Sequence, residues 1–405
     1  MVAMVKDFSL NKIYQILLII LAFLMPLTVF GANLIIVIIC LIWLFSGDYK
    51  SKYSQIVSSK LLLASIFFFS LHVVGLLWTE DMAWGLHIVH KMWYFLLLLP
   101  ALFTIVQKEY IKYYVSAFLL AITITEISSY LVWFEIIEPF KNATVENPTP
   151  FMSHISYNPI LAFAIYLVLH ELFFNKKMTN LVFSLYSFFA ISMSINMFIT
   201  GGRGGQVAFF VMLSILIFQV LDKQRIKSLI IIFIVIPGIF LTAYQTSALF
   251  QSRVNLAVSE ITQFSDTRHS HDTSVGLRLN YSINSFDVSK KHPIIGVGTG
   301  DFRVEYSKIN KINSPQLADT TNPHNMYVLI LMQLGVVGLI SMLSIFYYQI
   351  KLSYNSPNKF IRDVGVTLPI MFLVLMLSDS YLLGHYTTLM FVFFSSFLYK
   401  DFEKN

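Results

Sequence analysis

Charged residues and cysteines are scarce in this chain of 405 residues. Lys, Arg, Asp and Glu make up 12% of the sequence, about half of the roughly 25% that is usual in a soluble domain. Hydrophobic residues make up 56%, and mean hydropathy is +0.69. This balance excludes an ordinary soluble domain and predicts a polytopic membrane protein. The single cysteine, Cys40, excludes an intramolecular disulfide.

Metal-ligand patterns and cleavage signals are also missing. No paired cysteines and no helix-spaced His/Glu set support a zinc site, although His269 and His271 lie near each other and His292 lies in the same loop. Acids that could hold Mg²⁺ do not cluster on the outer side: Glu80 and Asp81 lie in one short loop, Asp379 is alone in its span, and the acids of 247–323 are scattered among bases. No metal site is therefore expected, and Asp379 with one loop acid is the alternative. The basic N-terminus is followed by an apolar run without a small-residue cleavage pattern, so the first span is expected to be retained.

Apolar runs predict an all-α integral membrane protein with about 12 transmembrane helices and one large loop between spans 9 and 10. No internal repeat, heptad or low-complexity tract interrupts this pattern. The predicted spans are residues 13–30, 32–46, 61–78, 87–107, 113–137, 153–174, 180–199, 205–221, 228–246, 325–350, 364–382 and 387–399. The chain thus divides into spans 1–9 in residues 1–246, the loop in 247–324, and spans 10–12 in 325–405.

Basic residues in the short connections predict the orientation. One side carries 17 Lys and Arg residues, whereas the short segments of the other side carry only Lys141 and Arg203. The positive-inside rule therefore predicts that both termini are cytoplasmic and that the long loop faces outward. An outward site sees no ATP or nucleotide sugar. An enzyme there needs a substrate that was activated inside and carried across on a lipid.

His324 is the strongest candidate for chemistry. It closes the polar stretch Ser247 to Pro323, which carries eight Lys and Arg residues, and it opens the run His324-Asn325, nine residues, Gly335-Val336-Val337-Gly338. A neutral imidazole with a pKa near the ordinary value of about 6.5 can accept a proton at neutral pH. The alternative is a residue at a helix start, with Asn325 as the cap.

Arg203 lies in the turn Thr200-Gly201-Gly202-Arg203-Gly204-Gly205 between two spans. Glycines let the backbone approach a ligand, the next helix begins with free amide groups, and a guanidinium adds bidentate donors. Together these features predict a site for an oxyanion or diphosphate. The alternative is an interfacial arginine that reaches the lipid headgroups beside a tight glycine turn.

Three further residues are candidates. Arg278 lies in a segment whose apolar residues 279, 283 and 286 suit an amphipathic helix on the membrane surface. Asp379 is an acid at the outer end of a span, which is costly unless it is paired, so it is expected to orient His324 or hold an arginine. Lys91, near His87 and His90, is either a ligand contact or a lysine that extends to the interface.

In these features the chain resembles the O-antigen ligase and polymerase superfamily, integral membrane glycosyltransferases with about twelve spans and a large periplasmic loop between the ninth and tenth. The His324-Asn325-x9-Gly335-x-x-Gly338 run matches the ligase motif after that loop. The Arg203 turn, the Arg278 segment with the following 291–298 stretch, and Asp379 fall in the order and approximate spacing of the family's functional positions. The resemblance covers essentially the whole chain.

The resemblance implies a donor glycan on undecaprenyl diphosphate, an acceptor lipid A-core oligosaccharide, and surrounding membrane lipids, with no nucleic acid and no cofactor. Arg203 and Arg278, with Lys91 as an additional candidate, would bind the diphosphate, and the arginines would stabilise its departing charge. His324 would be the general base, with Asp379 as the fourth catalytic residue. Displacement in one step would invert the anomeric carbon and require no metal.

Two other functions remain open at this point. A polymerase would use the same donor but a second lipid-linked repeat unit as acceptor, and it shares the family pattern. A transporter of lipid-linked sugars belongs to another class, for which paired broken helices and symmetry-related halves are expected. The sequence has neither feature, and a 77-residue external loop fits a transporter poorly.

Overall fold

The computed structural model describes residues 2–141, 143–266 and 273–402, although not the side chains of 2–9 and 263–266. Within these ranges the chain is helical and contains no strand. The helices are α1 Val2–Leu24, α2 Val29–Phe45, α3 Tyr49–Ser58, α4 Lys60–Val74, α5 Met82–Trp93, α6 Leu99–Ile105, α7 Ile111–Trp133, α8 His154–Phe174, α9 Asn180–Ile199, α10 Arg203–Leu221, α11 Arg225–Thr246, α12 Ala248–Asp266, α13 Ser274–Ser289, α14 Phe302–Asn313, α15 Met326–Tyr354, α16 Lys359–Leu375 and α17 His385–Leu398.

The helices form two compact units. The first comprises Met1–Val37 and Gln107–Asn255, and the second comprises Ile38–Val106 and Leu256–Asn405. In the first unit α10 packs chiefly against α8, and α1 packs against α7. In the second unit α15 packs against α4 and α16, α17 packs against α6, and α13 contacts both α14 and α15.

Eight helical segments in the described chain are long and apolar enough to cross a membrane, or nine if the bent pair α2 and α3 forms one broken span. This pattern supports a multi-pass membrane protein. The number of long apolar helices is smaller than the twelve predicted spans, because some predicted spans correspond to shorter helices. The apolar part of the first helix is Leu10–Leu24, and α17 has 14 residues. The predicted boundary at Gly31 is wrong, because α1 ends before Pro26 and Gly31 lies inside α2. Proline disfavours helical conformation in the preceding residue.

The long polar stretch is not an extended loop but folds into α12, α13 and α14, outside the undescribed residues 267–272. The amphipathic helix predicted around Arg278 is confirmed as α13. Its residues Leu279, Ile283 and Phe286 are between 37% and 46% exposed, so they form an uncovered apolar stripe. The side chain of Thr273 caps this helix by accepting a hydrogen bond from the amide of Gly276.

Helix α15 is interrupted at Gly335, where the preceding segment 293–298 is inserted against it. The amides of Val297 and Gly298 donate to the carbonyl oxygens of Met332 and Gln333, at 2.9 and 3.0 Å. Beyond the interruption, the amide of Val336 donates to the carbonyl oxygen of Pro293 at 2.9 Å. The inserted segment thus replaces hydrogen bonds that the helix loses at its interruption.

Gly335 is required at this interruption for two reasons. Its φ of 61° and ψ of −161° define a region that is essentially restricted to glycine. A Cβ atom there would also lie 2.3 Å from the carbonyl carbon and oxygen of Ile294. Gly338, one turn later, leaves room for the Leu334 side chain, whose Cβ would lie 2.3 Å from an added Cβ. The two glycines of the His324 motif therefore have architectural roles.

Candidate active site

His324 lies two residues before the start of α15 and has an unusual backbone conformation. Its φ is 52°, in the left-handed region that residues other than glycine rarely adopt. The amide of His324 donates to Oδ1 of Asn322 at 3.0 Å, which stabilises this turn. Asn325 caps α15 by accepting hydrogen bonds from the amides of Tyr327 and Val328. Because the neighbouring asparagine supplies the cap, the imidazole of His324 does not have to serve the helix end.

Asp379 lies beside that imidazole. The helix expected to contain it ends at Leu375, so Asp379 belongs to the turn between α16 and α17 rather than to a span. Its Oδ1 is 3.3 Å from Nδ1 of His324. The distance is long and the angle falls outside hydrogen-bond geometry, so the interaction is mainly electrostatic. Catalytic contacts of this kind commonly tighten when substrate binds.

Asn322 and Ser380 fix the carboxylate in place. Asn322 donates through Nδ2 to Oδ1 of Asp379 at 3.2 Å, and the hydroxyl of Ser380 donates to Oδ1 of Asn322 at 2.8 Å. The amide of Ser380 adds a third hydrogen bond, at 2.7 Å, to Oδ1 of Asp379. The turn before α15 and the turn after α16 are therefore held together by side chains on both sides.

The charge state of Asp379 results from opposing effects. Burial is the largest and acts to raise the pKa of this carboxyl, but contact with His324, the Ser380 amide and the positive charge of Arg278 together hold the pKa below its ordinary value. Asp379 is therefore a carboxylate at neutral pH. An acceptor-only group beside Nδ1 favours the imidazole tautomer that carries its proton on Nδ1 and leaves Nε2 basic.

Arg278 reaches the same region from α13. Its charge acts on both Asp379 and the buried phenol of Tyr381, where burial is the main cause that raises the pKa to about 12. Among the described residues, its guanidinium makes no hydrogen bond or ion pair with a carboxylate. Arg278 is half-buried, so a cation with unused donors lies in the neighbourhood of Asp379 and His324.

Tyr281, one helical turn beyond Arg278, covers the imidazole. Its ring is stacked on that of His324 with centroids 6.3 Å apart and an interplanar angle of 29°. Tyr306 of α14 packs edge-on against Tyr281, with ring centroids 5.7 Å apart, and this contact restricts the Tyr281 ring. Sequence reasoning missed Tyr281, Asn322 and Ser380. Only the position of Asn322, two residues before His324, could have drawn attention to it.

Arg203 belongs to the first unit, where it is the first residue of α10. Gly202 and Gly205 pack against α8, since an added Cβ would lie 2.5 Å from the carbonyl oxygen of His154 and 2.4 Å from the carbonyl carbon of Asn158, respectively. Both glycines thus allow helix contact, which differs from the ligand approach expected from the sequence. Gly201 is less crowded, and its amide donates to Oδ1 of Asn147 at 3.0 Å.

Lys91 lies in the last turn of α5, in the second unit. Within the described part of the chain, its ammonium group has no hydrogen-bond or ion-pair partner. In the second unit, the structure therefore brings Arg278, His324 and Asp379 together.

Metal ligands do not gather in the described residues, where no group of three or more His, Cys, Asp or Glu side chains could hold an ion. His269 and His271 lie outside those residues. Asp81, one of the acids weighed for Mg²⁺, is engaged by Arg303 at 2.5 Å, which lowers the pKa of its carboxyl, and it also caps α5.

The group of His324, Asp379 and Arg278 in the second unit contains the side chains that general-base catalysis requires. Nε2 of His324 is the basic nitrogen, Asp379 can stabilise the imidazolium that forms, and Arg278 adds positive charge nearby. Such a group can remove a proton from a hydroxyl while the guanidinium stabilises an anionic leaving group.

Comparison with known proteins finds a family match in the middle of the chain. The family model described as O-antigen ligase matches residues 188–343, a range that contains Arg203, Arg278 and His324. An uncharacterized protein of Haemophilus influenzae is 32% identical over 239 residues, which cover 55% of this chain and 58% of the relative. The chain thus spans less than two thirds of the relative's length. Residues 188–343 are therefore similar to the O-antigen ligase family, and the long apolar helices support a multi-pass membrane protein.

Proposed function

We propose that this protein transfers a glycan from undecaprenyl diphosphate to a hydroxyl of lipid A-core oligosaccharide at the periplasmic face of the inner membrane. The observation that carries the proposal is the approach of Asp379 to His324 beside Arg278. A transfer from a lipid diphosphate requires a base for the acceptor and positive charge for the leaving group, and these residues have both properties.

The proposed reaction is a single displacement. The acceptor hydroxyl oxygen attacks the anomeric carbon as Nε2 of His324 takes the hydroxyl proton. The bond between the anomeric carbon and the diphosphate oxygen breaks, and its electron pair leaves with the lipid diphosphate. Attack opposite the departing group inverts the anomeric carbon. Asp379 orients the imidazole and stabilises its positive charge, as a carboxylate does for a catalytic histidine.

The arginines are assigned to the donor. We propose that Arg203 and Arg278 bind its diphosphate, because guanidinium groups match phosphate oxygens with two parallel hydrogen bonds. Two cations can take the role that a divalent metal has in other glycosyl transfers, so the reaction is proposed to be independent of metal. Lys91 is a secondary candidate for the same diphosphate, as a single flexible point charge.

The decisive experiment is transfer by the purified full chain with a labelled lipid-linked glycan and unlabelled lipid A-core. A ligase moves the label to lipid A-core and releases undecaprenyl diphosphate. A polymerase, which shares the family pattern, elongates the lipid-linked glycan and leaves lipid A-core unlabelled. Movement of the lipid-linked glycan between leaflets without a new glycosidic bond would refute both and favour a transporter.

A further inference from the structure

An apolar cleft with a volume of about 1290 Å³ lies within the first unit. Its wall along α11 runs from Val235 to Thr246, and side chains of α8, α9 and α10 form most of the remainder. At 1.5 Å per residue this wall is about 17 Å long. Most of the lining is aliphatic or aromatic, including Leu169, Ile195 and Phe209. The cleft is therefore shaped for an elongated apolar molecule.

One end of the cleft adjoins the Arg203 turn. Phe198 and Ile199 line the cleft and immediately precede Thr200-Gly201, and Ser247 at the same end donates its hydroxyl proton to the carbonyl oxygen of Phe198 at 2.7 Å. Phe250 of α12 packs edge-on against Phe198, with centroids 5.0 Å apart. These contacts join the end of the cleft, the glycine turn and the start of α12.

Arg253 is the residue at this end that sequence reasoning did not single out. Its Nη2 lies 3.8 Å from the position that a Cβ atom of Gly201 would occupy, so the guanidinium faces the glycine turn. Its charge also acts on His154 at the start of α8. In the described part of the chain, Arg253 forms no ion pair or hydrogen bond, although it is half-buried.

The polar groups at this end favour an anion. Among the described residues that line the cleft, Glu146 is the one carboxylate. The two positive charges of Arg203 and Arg253 near this end exceed its single negative charge. The first turn of α10 adds amide groups without intrahelical partners, since its cap residue Gly202 has no side chain to bind them. An unpaired arginine near an apolar cleft needs a partner that is anionic at one end and apolar along its length.

The geometry points to a binding site in which the cleft between α8, α9, α10 and α11 holds the isoprenoid chain of a polyprenyl diphosphate and Arg253 binds its diphosphate together with Arg203. This inference rests on the donor class proposed above and specifies where that donor binds. Arg253 adds a guanidinium group to those already proposed for the donor diphosphate, and an apolar cleft of this volume suits an isoprenoid chain.

Gly238 provides a direct test of the cleft. It lines the cleft, and no atom lies within 4 Å of the position that its Cβ would take. The side chain of Gly238→Trp therefore starts from open space and is expected to fill the cleft. Gly238→Ala leaves the cleft open and serves as the matched control. Gly238→Leu is a second filling variant. Arg253→Gln removes the charge at the end of the cleft, and Arg225→Gln removes the charge of the first residue of α11 as its control.

Binding is measured on the purified full chain in nanodiscs with radiolabelled geranylgeranyl diphosphate. We expect Arg253→Gln to weaken binding about tenfold, as for the loss of a charge-assisted hydrogen bond. Gly238→Trp is expected to weaken binding of this probe at least tenfold without weakening competition by inorganic diphosphate. Gly238→Ala and Arg225→Gln should bind within about twofold of wild type on the same scale.

The inference is overturned if Arg253→Gln and both filling variants of Gly238 bind the probe as wild type does, or if phosphatidylglycerol displaces the probe as effectively as unlabelled geranylgeranyl diphosphate. Failure of the proposed function gives a different result. Binding that depends on Gly238 and Arg253, without any glycosyl transfer, would retain the cleft and refute the transferase. Transfer that is insensitive to both positions would retain the transferase and refute the cleft.

Discussion

The group formed by His324 and Asp379 and the turn that contains Arg203 both combine polar residues with glycine-containing segments. They differ in how far their polar groups are hydrogen-bonded. In the second unit Asn322 bonds Asp379, Ser380 and the backbone amide of His324, so the carboxylate and the turn that carries the imidazole are held in place. In the first unit Arg253 has no partner among the described residues, and an apolar cleft adjoins the turn. A group that moves a proton must be preorganised, whereas a group that binds a ligand must keep its donors unused.

Removing the imidazole should have the largest effect. His324→Ala is expected to lower the transfer rate by about 10²-fold or more while donor binding is retained, because a general base contributes to the chemical step. Single-turnover transfer and donor binding are measured on the same preparation. His292→Ala is a matched histidine variant from the loop before the site, and it should retain near wild-type transfer. Near wild-type turnover in the His324 variant would remove the base from the proposal.

The glycines of the same motif should affect folding rather than chemistry. Gly335→Ala forces a side chain into a φ of 61° and against the carbonyl of Ile294, at a cost of about 1–3 kcal/mol for the backbone conformation alone. Thermal unfolding and the yield of purified protein are expected to decrease. Gly238→Ala, where the added Cβ meets nothing, should unfold like wild type. Equal thermal stability of the two variants would contradict an architectural role for Gly335.

A lysine at position 203 keeps the positive charge but lacks the planar guanidinium group. This change tests the role proposed for the Arg203 turn. Arg203→Lys is expected to lower transfer about tenfold, since lysine loses the bidentate donors that match a phosphate. Insertion and abundance, followed by immunoblotting of membranes, should stay unchanged. If the lysine variant were fully active, Arg203 would be only a cation near the lipid headgroups.

Asp379 should have a smaller effect on rate and a clear effect on pH dependence. Asp379→Asn is expected to lower transfer several-fold and to move the acidic limb of the rate profile to lower pH, because the imidazolium loses its counter-charge. The pKa of Asp379 is lowered in the folded protein, so its contribution to stability is present at neutral pH and is lost as the pH falls through that value. Urea unfolding at several pH values tests this sign. A rate profile that does not move would exclude the coupling.

Chelation should have the smallest effect. Excess EDTA is expected to change transfer by less than about twofold, because the proposed stabilisation of the leaving group uses arginines rather than a metal held by carboxylates. The assay uses purified protein with defined donor and acceptor. Loss of transfer that Mg²⁺ or Mn²⁺ restores would refute the arginine account and make Asp379 the first ligand to test.

Composition, hydropathy and the order of motifs determined the class of the protein. A low content of charge and long apolar runs place much of the chain in a membrane. The backbone there must form its hydrogen bonds internally, and apolar runs of this length do so as helices. The resemblance to the O-antigen ligase family rested on His324, the two glycines after it and the Arg203 turn, and the family model matches this region. The boundary between α1 and α2 at Pro26 was not predicted, because the turn was placed at Gly31.

Tertiary structure alone decided which residues meet. Asp379 lies 55 residues after His324, and the packing of α15 against α16 brings the two turns together, where Asn322 and Ser380 connect them. Arg253 was one loop arginine among several until α12 placed it at the glycine turn. Local sequence sets helix propensity and charge, but contacts between distant segments depend on how the helices pack. For that reason the sequence supplied the candidates, and the packing of each unit decided their partners.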